Sequence, residues 1–178
     1  MGGSARTSEP MVHRYLIGLG SNQRHARMGG PRAVIAAALG AVERAGAKVA
    51  AMSPIIASRP LGPSARTFAN AAAVVETPLE PPEMLACLQG IEAAFGRCRR
   101  GQSWRARVID LDLVLWDGGC WGEPGLVIPH VAFRQRGFVL TPAARIAGRW
   151  RDPLTGLILR QLAARLNKPR PASKAAKV

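Results

Sequence analysis

Apolar and polar residues alternate along this chain with two different periods, which predicts a succession of strands and helices. Short runs of β-branched or small apolar residues between turn-forming residues are typical of strands. Longer segments with apolar residues three or four positions apart are typical of helices. The predicted elements are a strand Arg14–Leu19, a helix Arg32–Ala45, strands Lys48–Ser58 and Thr67–Thr77, a helix Pro81–Phe95, a strand Val108–Trp116 and a helix Leu157–Leu166.

Two further segments are expected to be irregular. Glycines predict a turn over Asp117–Gly122, and Pro129–Ile146 is expected to form only short helical turns. Near the start, Gly18 and Gly20 precede Ser21 and Asn22, which indicates either an ordinary turn or a strand end that brings backbone close to a ligand.

The segment Pro81–Phe95 gives the clearest helical pattern. Its large apolar residues form one buried stripe: Met84, Leu85, Leu88, Ile91 and Phe95. Proline suits the first turn of a helix, and Thr77 or Glu80 can cap it. Gln89 and Glu92 are three residues apart and share a different face of the helix.

The strand Val108–Trp116 is unusual because it contains two aspartates. Side chains alternate between the two faces of a strand, so Asp110 and Asp112 point the same way, with Cα atoms about 6.5–7 Å apart. The same alternation predicts the two faces. One would bear Ile109, Leu111, Leu113 and Leu115, and the other would bear Val108, Asp110, Asp112, Val114 and Trp116.

The order of elements predicts an α+β fold. The order β-α-β-β-α-β is that of a ferredoxin-like sandwich, here with added C-terminal short helices. Its two crossover helices are expected to cover one face of the sheet. The two aspartates would then lie on the uncovered face, where loops can close over a ligand.

The charged residues of this region would suit a phosphate site. Two carboxylates on one face repel each other by about 2–3 kcal/mol at an effective dielectric constant of ~20. Divalent cations such as Mg²⁺ remove that repulsion and bind carboxylate together with phosphate oxygens. Arginines, which bind phosphate, crowd residues 97–107. From the residue types alone, a site for a metal-bound polyphosphate and a charged solvent-exposed face are equally good interpretations.

Composition limits the remaining possibilities. A chain of 178 residues favours one domain, expected over residues 14–166, after a flexible leader (1–13) and before a disordered basic tail (167–178). The net charge of +14 favours a polyanionic small substrate, a nucleic acid or an anionic surface. The three cysteines have no metal-binding spacing, and no signal peptide or membrane span is evident, which predicts a cytoplasmic protein.

Several motifs occur together in one order. Gly18–Asn22 comes first, Phe68–Ala71 follows, and Gly96–Asp112 contains spaced arginines, Trp104 and the two aspartates. A final segment runs from Ile128 to Leu140. Together these motifs resemble the 6-hydroxymethyl-7,8-dihydropterin pyrophosphokinase family, over about residues 15–146.

The resemblance implies an enzyme that transfers pyrophosphate from ATP to 6-hydroxymethyl-7,8-dihydropterin in folate biosynthesis. It implies two Mg²⁺ ions held by Asp110 and Asp112. The catalytic residues it implies are Arg97, Arg107, Asp110 and Asp112. The implied ATP-binding residues are Gln89, Glu92, Arg99, Trp104, Arg107, Leu113, His130 and Arg136. The implied pterin-binding residues are Ser58, Arg59, Leu61, Phe68, Asn70, Asp110 and Phe138.

Two other functions are considered. A basic ferredoxin-like sheet also describes RNA-binding domains, but Asp110 and Asp112 on the exposed face would repel an RNA backbone. Another metal-dependent phosphate-transferring enzyme or phosphohydrolase is the second alternative. The prediction is therefore a monomer whose partners are ATP and the pterin, with no nucleic acid and no membrane.

Overall fold

A central strand with an antiparallel neighbour on each side organises the molecule. The computed structural model describes residues 11–58, 67–96 and 108–168. Its strands are β1 His13–Ser21, β2 Lys48–Met52, β3 Ile56–Ser58, β4 Phe68–Thr77, β5 Asp110–Trp116, β6 Trp121–Glu123 and β7 Leu126–Ile128. Its helices are α1 Pro31–Arg44, α2 Pro81–Ala94, α3 Gly137–Ile146 and α4 Leu159–Leu166, with a 3₁₀ helix at Phe133–Gln135.

The main sheet has the order β2-β4-β1-β5, and β3 also pairs with β4. Its strand pairs are all antiparallel. β1 therefore lies between β4 and β5, and β5 is an edge strand. The hairpin β6–β7 forms a separate two-stranded sheet, which was not predicted; Gly125, with φ of 90°, lies between its strands.

The predicted strand Lys48–Ser58 is wrong as one element, because it is interrupted between β2 and β3. Pro54 lies in the interruption and has no N–H to donate to a ladder. Ser53 bridges it: its backbone N–H donates to the Ala72 carbonyl (2.9 Å), and its hydroxyl accepts the Ala72 N–H (3.0 Å). Both pieces consequently stay paired with β4.

Helices α1 and α2 pack on what we call the first face of the sheet. This core contains the alternate apolar residues of β1, β4 and β5, among them Tyr15, Ile17, Ala73, Leu111 and Leu113. The expected end of α1 is confirmed, since Gly46 has φ of 93° and the Ala47 N–H donates to the Val42 carbonyl (3.3 Å). α2 begins after Glu80, whose backbone N–H donates to the Glu83 carboxylate (2.9 Å).

The opposite, second face is not uncovered, which corrects the expectation from the sequence. α3 and α4 pack there against a second core formed by residues such as Leu16, Val74, Val114 and Leu115. The segment Pro129–Ile146 was expected to hold only short turns, yet α3 has ten residues and contains Pro142. Burial of Val139, Leu140 and Ala143 on the sheet explains why this helix forms despite its proline.

A β-bulge in β5 corrects the predicted alternation of its side chains. Leu16 pairs with Leu115 and Ile17 pairs with Leu113, so Val114 is an extra residue. Asp110, Asp112 and Val114 share the second face as predicted. Beyond the bulge the faces exchange, so that Leu115 joins the second core and Trp116 packs against the first. Val108, which precedes the strand, also packs against the first core rather than the second.

The limits of the predicted segments shift slightly. β1 begins at His13, which is buried, so the predicted leader overlaps the strand by one residue. α4 begins two residues later than predicted, at Leu159. Residues 1–10 and 169–178, and with them most of the predicted leader and tail, lie outside the described residues. Within the described ranges, no helix is both long and apolar enough to cross a membrane.

Candidate active site

The two aspartates lie on the second face of the sheet, beside the glycines of the central strand. Asp110 is paired with Gly20, and Asp112 is paired with Gly18. Both are partly exposed, and 34% of the Asp112 side chain is accessible to solvent. Among the described residues β5 has no strand on its outer side and the glycines have no side chains, so these residues leave the face beside both carboxylates open.

A carboxamide lies across β1 from these carboxylates. Asn70 of β4 is paired with Gly20 on the side opposite Asp110. Its side chain is buried, and its amide donates to the Ser58 hydroxyl (2.7 Å). This hydrogen bond leaves the side-chain oxygen of Asn70, Oδ1, directed toward Gly20. It lies 3.4 Å from the position that a β-carbon would take if residue 20 had one. Phe68, which is paired with Ser58 at the start of β4, is half-buried on the same face.

The beginning of α3 brings a guanidinium and an aromatic ring to the site. Arg136 is the residue before α3, and its Nη1 is 3.8 Å from Asp112 Oδ2. The same guanidinium lies 5.9 Å from the centre of the Phe138 ring. Arg136 thus combines a carboxylate contact with a partly exposed cation that can bind a phosphate oxygen.

His130 is held next to β5 by its backbone. Its N–H donates to the carbonyl of Val114, the bulged residue (3.0 Å). Its Nδ1 accepts the Ala132 N–H (3.2 Å). Because Nδ1 is an acceptor in this arrangement, the neutral ring bears its proton on Nε2, which can donate to a ligand.

Glu92, expected near the nucleotide, is buried between α2 and β5. Only 2% of the residue is exposed, and its carboxylate accepts the Leu111 N–H (2.8 Å). Glu92 therefore holds β5 to α2 through Leu111, the residue between the two aspartates. Gln89, one turn earlier on α2, is half-buried. Leu113 lies in the core of the first face, so the structure separates its side chain from the site.

Six predicted site residues lie outside the described part of the chain. Residues 59–66 and 97–107 lie outside the described ranges. These ranges contain Arg59, Leu61, Arg97, Arg99, Trp104 and Arg107.

A buried ion pair behind the site was not predicted. The Arg134 guanidinium donates to both oxygens of Asp152 (2.7 and 2.5 Å), and this carboxylate is fully buried. Burial raises the pKa of Asp152, but hydrogen bonds from Arg134, Thr155 and the Leu154 N–H outweigh burial and lower that pKa overall. The pair joins the 3₁₀ helix before Arg136 to the loop before α4. Eighteen residues separate its members, so no local pattern could have revealed it.

The donor set around the aspartates fits magnesium. Among the described residues, no group of three or more His, Cys, Asp or Glu side chains could hold a metal ion. A pair of carboxylates is nevertheless the usual protein share of a Mg²⁺ site, because Mg²⁺ keeps water and substrate phosphate as its other ligands.

Fold and site together define a class. An α+β sheet that presents paired carboxylates, a guanidinium and a carboxamide on one partly open face is suited to phosphate transfer onto a small polar acceptor. Residues 16–148 match the family model described as 7,8-dihydro-6-hydroxymethylpterin-pyrophosphokinase. This chain belongs to that family.

Individual relatives agree with the family assignment. A 2-amino-4-hydroxy-6-hydroxymethyldihydropteridine pyrophosphokinase of Pseudomonas aeruginosa is 39% identical over 145 residues, which cover 80% of this chain and 86% of that protein. An enzyme of the same name from Methylorubrum extorquens is 39% identical over 139 residues, covering 75% of this chain and 82% of the relative.

The fold resembles solved structures at much lower identity. The wild-type HPPK-DHPS of Plasmodium falciparum, crystallised with pteroate, matches with a TM-score of 0.68 and 14% identity. The match covers 89% of this chain but only 43% of that longer one. At this identity the likeness concerns the fold alone.

Proposed function

We propose that this enzyme transfers pyrophosphate from ATP to 6-hydroxymethyl-7,8-dihydropterin, giving the pterin pyrophosphate and AMP, in folate biosynthesis. The observation that supports this most is the arrangement across β1. Asp110 and Asp112 lie on one side of its glycines, and Asn70 lies on the other. The site therefore offers carboxylates for a metal–polyphosphate and a carboxamide for the edge of a polar heterocycle.

In this reaction the hydroxymethyl oxygen of the pterin attacks the β-phosphorus of ATP. A bond forms between that oxygen and the β-phosphorus, and the bond to the oxygen that bridges the α- and β-phosphorus breaks. AMP leaves with the bridging oxygen, and the hydroxyl proton is released. Such a transfer depends on positioning and on neutralising charge rather than on covalent catalysis.

The described side chains that border the site divide into a phosphate-binding and a pterin-binding group. Asp110 and Asp112 would hold Mg²⁺, two ions being expected from the family resemblance, and the metal would neutralise phosphate charge. Arg136, 3.8 Å from Asp112, contacts the same phosphates. His130 donates from Nε2 to the nucleotide, while Asn70 and the rings of Phe68 and Phe138 bind the pterin. Arg97, Arg99, Trp104, Arg107, Arg59 and Leu61 keep the roles that the resemblance implies.

The topology supports a ferredoxin-like core for this enzyme. If β2 and β3 are taken as one interrupted strand, the chain order is β-α-β-β-α-β with β1 inside the sheet. The β6–β7 hairpin, α3 and α4 are additions to that core. We further propose a cytoplasmic monomer, in keeping with the free thiols of Cys87 and Cys120.

Product analysis tests the proposed reaction. With ATP, Mg²⁺ and 6-hydroxymethyl-7,8-dihydropterin, AMP and pterin pyrophosphate are expected in equal amounts. A chelator should stop the reaction, and added Mg²⁺ should restore it. Formation of ADP, or phosphate release without the pterin, would favour a phosphohydrolase or another kinase instead.

A further inference from the structure

The 3₁₀ helix Phe133–Gln135 has little stability of its own, although it lies directly before Arg136. The Gln135 N–H donates to the Ala132 carbonyl, and the Arg136 N–H donates to the Phe133 carbonyl, both at 3.2 Å. Hydrogen bonds of this i→i+3 type have poor geometry, and so short a helix adds few of them. The position of the helix must therefore come from contacts with other parts of the chain.

Arg136 depends on this helix for its place beside Asp112. The 3.8 Å between its Nη1 and Asp112 Oδ2 is longer than a hydrogen bond. Among the described residues no side chain caps the start of α3, and 33% of the Arg136 side chain is exposed. The backbone at the junction of the 3₁₀ helix and α3, rather than a close contact of the side chain, thus sets where the guanidinium lies.

Two contacts hold the 3₁₀ helix from the side of the second core. Phe133 is buried in that core, with 1% of the residue exposed. Arg134 lies over the Phe133 ring, with its guanidinium carbon 4.6 Å from the ring centre, and it donates to both oxygens of Asp152. We call this two-pronged contact of Arg134 with Asp152 the fork. Bidentate pairs of this kind fix direction as well as distance.

The loop that presents Asp152 is closed around its carboxylate. The Thr155 hydroxyl (2.5 Å) and the Leu154 N–H (3.2 Å) donate to the carboxylate. The Asp152 N–H donates to the Leu157 carbonyl (2.9 Å), and the Gly156 N–H donates to the Asp152 carbonyl (2.8 Å). The loop leads into α4, which packs on the second core. Asp152 is therefore a fixed point relative to the sheet.

Stability alone does not explain a buried pair of opposite charges. Removing both charges from water is costly, and apolar residues of similar volume often stabilise a protein as well as such a pair or better. An apolar pair, however, does not define a direction between two segments that are far apart in the chain. The fork supplies that direction to the residues next to Arg136.

We propose that Arg134 and Asp152 are positioning residues for ATP binding. Their fork holds the 3₁₀ helix in the place from which the Arg136 guanidinium contacts the phosphates of ATP beside Asp112. Neither Arg134 nor Asp152 touches the substrate, and both act through Arg136. The inference rests on the proposed function, which names ATP as the source of these phosphates.

Variants of the full chain test this role. Arg134→Met removes the fork and keeps an unbranched apolar side chain over the Phe133 ring. The charge-free variant, Arg134→Met with Asp152→Asn, also removes the buried carboxylate that the single change leaves without its counter-charge. Thr155→Val is the matched control, since it takes one hydrogen bond from the same carboxylate but leaves the fork intact. Arg136→Met, alone and combined with Arg134→Met, completes a double-mutant cycle.

The melting temperature and the Kd of a non-hydrolysable ATP analogue with Mg²⁺ are measured for each protein. Arg134→Met is expected to lower the melting temperature and to raise the Kd about tenfold. The charge-free variant should recover most of the melting temperature, whereas its Kd should stay about tenfold above that of the wild type because the fork is still missing.

The controls should respond differently. Thr155→Val is expected to lower the melting temperature but to change the Kd by less than about twofold. In the Arg136→Met background, Arg134→Met should also change the Kd by less than about twofold, since no guanidinium is left to position.

Two results overturn the inference. If the charge-free variant binds the analogue as the wild type does, the pair serves folding alone. If Arg134→Met weakens binding equally with and without Arg136, the pair does not act through that residue. Should Arg134→Met not fold, the charge-free variant replaces it in both comparisons.

Product analysis of the wild type separates this inference from the proposed function. AMP formation by the wild type together with normal analogue binding by the charge-free variant rejects the positioning role and keeps the reaction. A wild type that binds the analogue but forms no AMP rejects the reaction, and the Kd values still decide the positioning role. Failure of the wild type to bind the analogue rejects both.

Discussion

Asp112 is the single side chain on which the proposed charge arrangement most depends. It is partly exposed, shares its sheet face with Asp110 and lies 3.8 Å from the Arg136 guanidinium. Its contribution is therefore expected in the bound complex rather than in the fold, since replacing it also removes repulsion between like charges.

Replacement Asp112→Asn keeps the size of the side chain and removes its charge. The predicted result is a fall in kcat/KM of about 10²-fold or more, which corresponds to roughly 3 kcal/mol of transition-state stabilisation. Steady-state kinetics measures this loss, and the control is Glu123→Gln, an exposed acid in the β6–β7 hairpin. Near-normal turnover by Asp112→Asn would place the metal elsewhere.

At the scale of elements, the site depends on how β5 is fastened at the edge of the sheet. The N–H of Leu111 lies on the outer side of β5, away from its pairing with β1. It donates instead to the carboxylate of Glu92, near the end of α2. One buried side chain thereby ties a helix on the first face to the strand that presents both aspartates.

Replacement Glu92→Leu leaves the Leu111 N–H without this acceptor. We predict a loss of about 1–3 kcal/mol in the free energy of unfolding, the usual penalty for an unsatisfied buried polar group. Glu92→Gln is the matched control, because its side-chain oxygen can still accept the N–H, and it should lose less. Chemical denaturation measures both variants, and equal losses would contradict the hydrogen-bond explanation.

The Arg134–Asp152 pair plays a similar fastening role on the second face. Because the folded-state pKa of Asp152 lies below its ordinary value of about 3.9, the unfolded chain binds a proton at Asp152 more readily than the folded protein does. The stabilisation is fully present above that ordinary value, and it is lost as the pH falls through the lower folded-state pKa.

Replacement Asp152→Asn is predicted to lower the free energy of unfolding at neutral pH by on the order of 3 kcal/mol, because it leaves the guanidinium without its buried counter-charge. The difference between wild type and variant should stay constant above about pH 5 and shrink below pH ~4. Unfolding curves collected across this pH range provide the measurement. A difference that does not change with pH would mean that charge is not responsible.

Elements with a clear hydrophobic pattern of their own could be predicted from the sequence. Elements that depend on contacts between distant parts of the chain could not. The apolar stripe of α2 and the two aspartates of β5 follow local periodicity, and both were predicted correctly. α3 was missed because Pro142 argues against a helix unless burial on a sheet compensates. The candidate site followed the same division: the shared face of Asp110 and Asp112 was predictable from strand alternation, whereas the Ser58–Asn70 bond and the burial of Glu92 require the folded chain.

At the scale of the whole molecule, charge is the dominant feature. The chain has 25 Lys and Arg residues against 11 Asp and Glu, and the net charge is +14. Such a field attracts anions over distances comparable with the Debye length, which is about 8–10 Å at physiological ionic strength. ATP with Mg²⁺ is still an anion, whereas the pterin is uncharged at neutral pH.

Salt should therefore affect the two substrates differently. Raising NaCl from about 20 mM to about 500 mM is predicted to increase the KM for ATP several-fold, while the KM for the pterin changes little. Initial rates at each salt concentration test this, with potassium glutamate replacing NaCl to exclude a specific chloride effect. An equal response of both KM values would indicate that the field does not guide ATP to the site.

The extra residue in β5 has a consequence for protein engineering. Up to Leu113 the even-numbered residues of β5, among them both aspartates, lie on the second face; beyond Val114 the alternation is reversed, so Leu115 lies on the second face and Trp116 on the first. A graft that kept all seven residues but laid them out as a regular strand, without the bulge, would leave the aspartates in place and turn Leu115 and Trp116 to the wrong layers. A graft that left Val114 out would keep these two residues on their own layers, but it would remove the carbonyl that holds His130. A transplanted strand should therefore contain all of Asp110–Trp116, with the bulge at Val114 preserved.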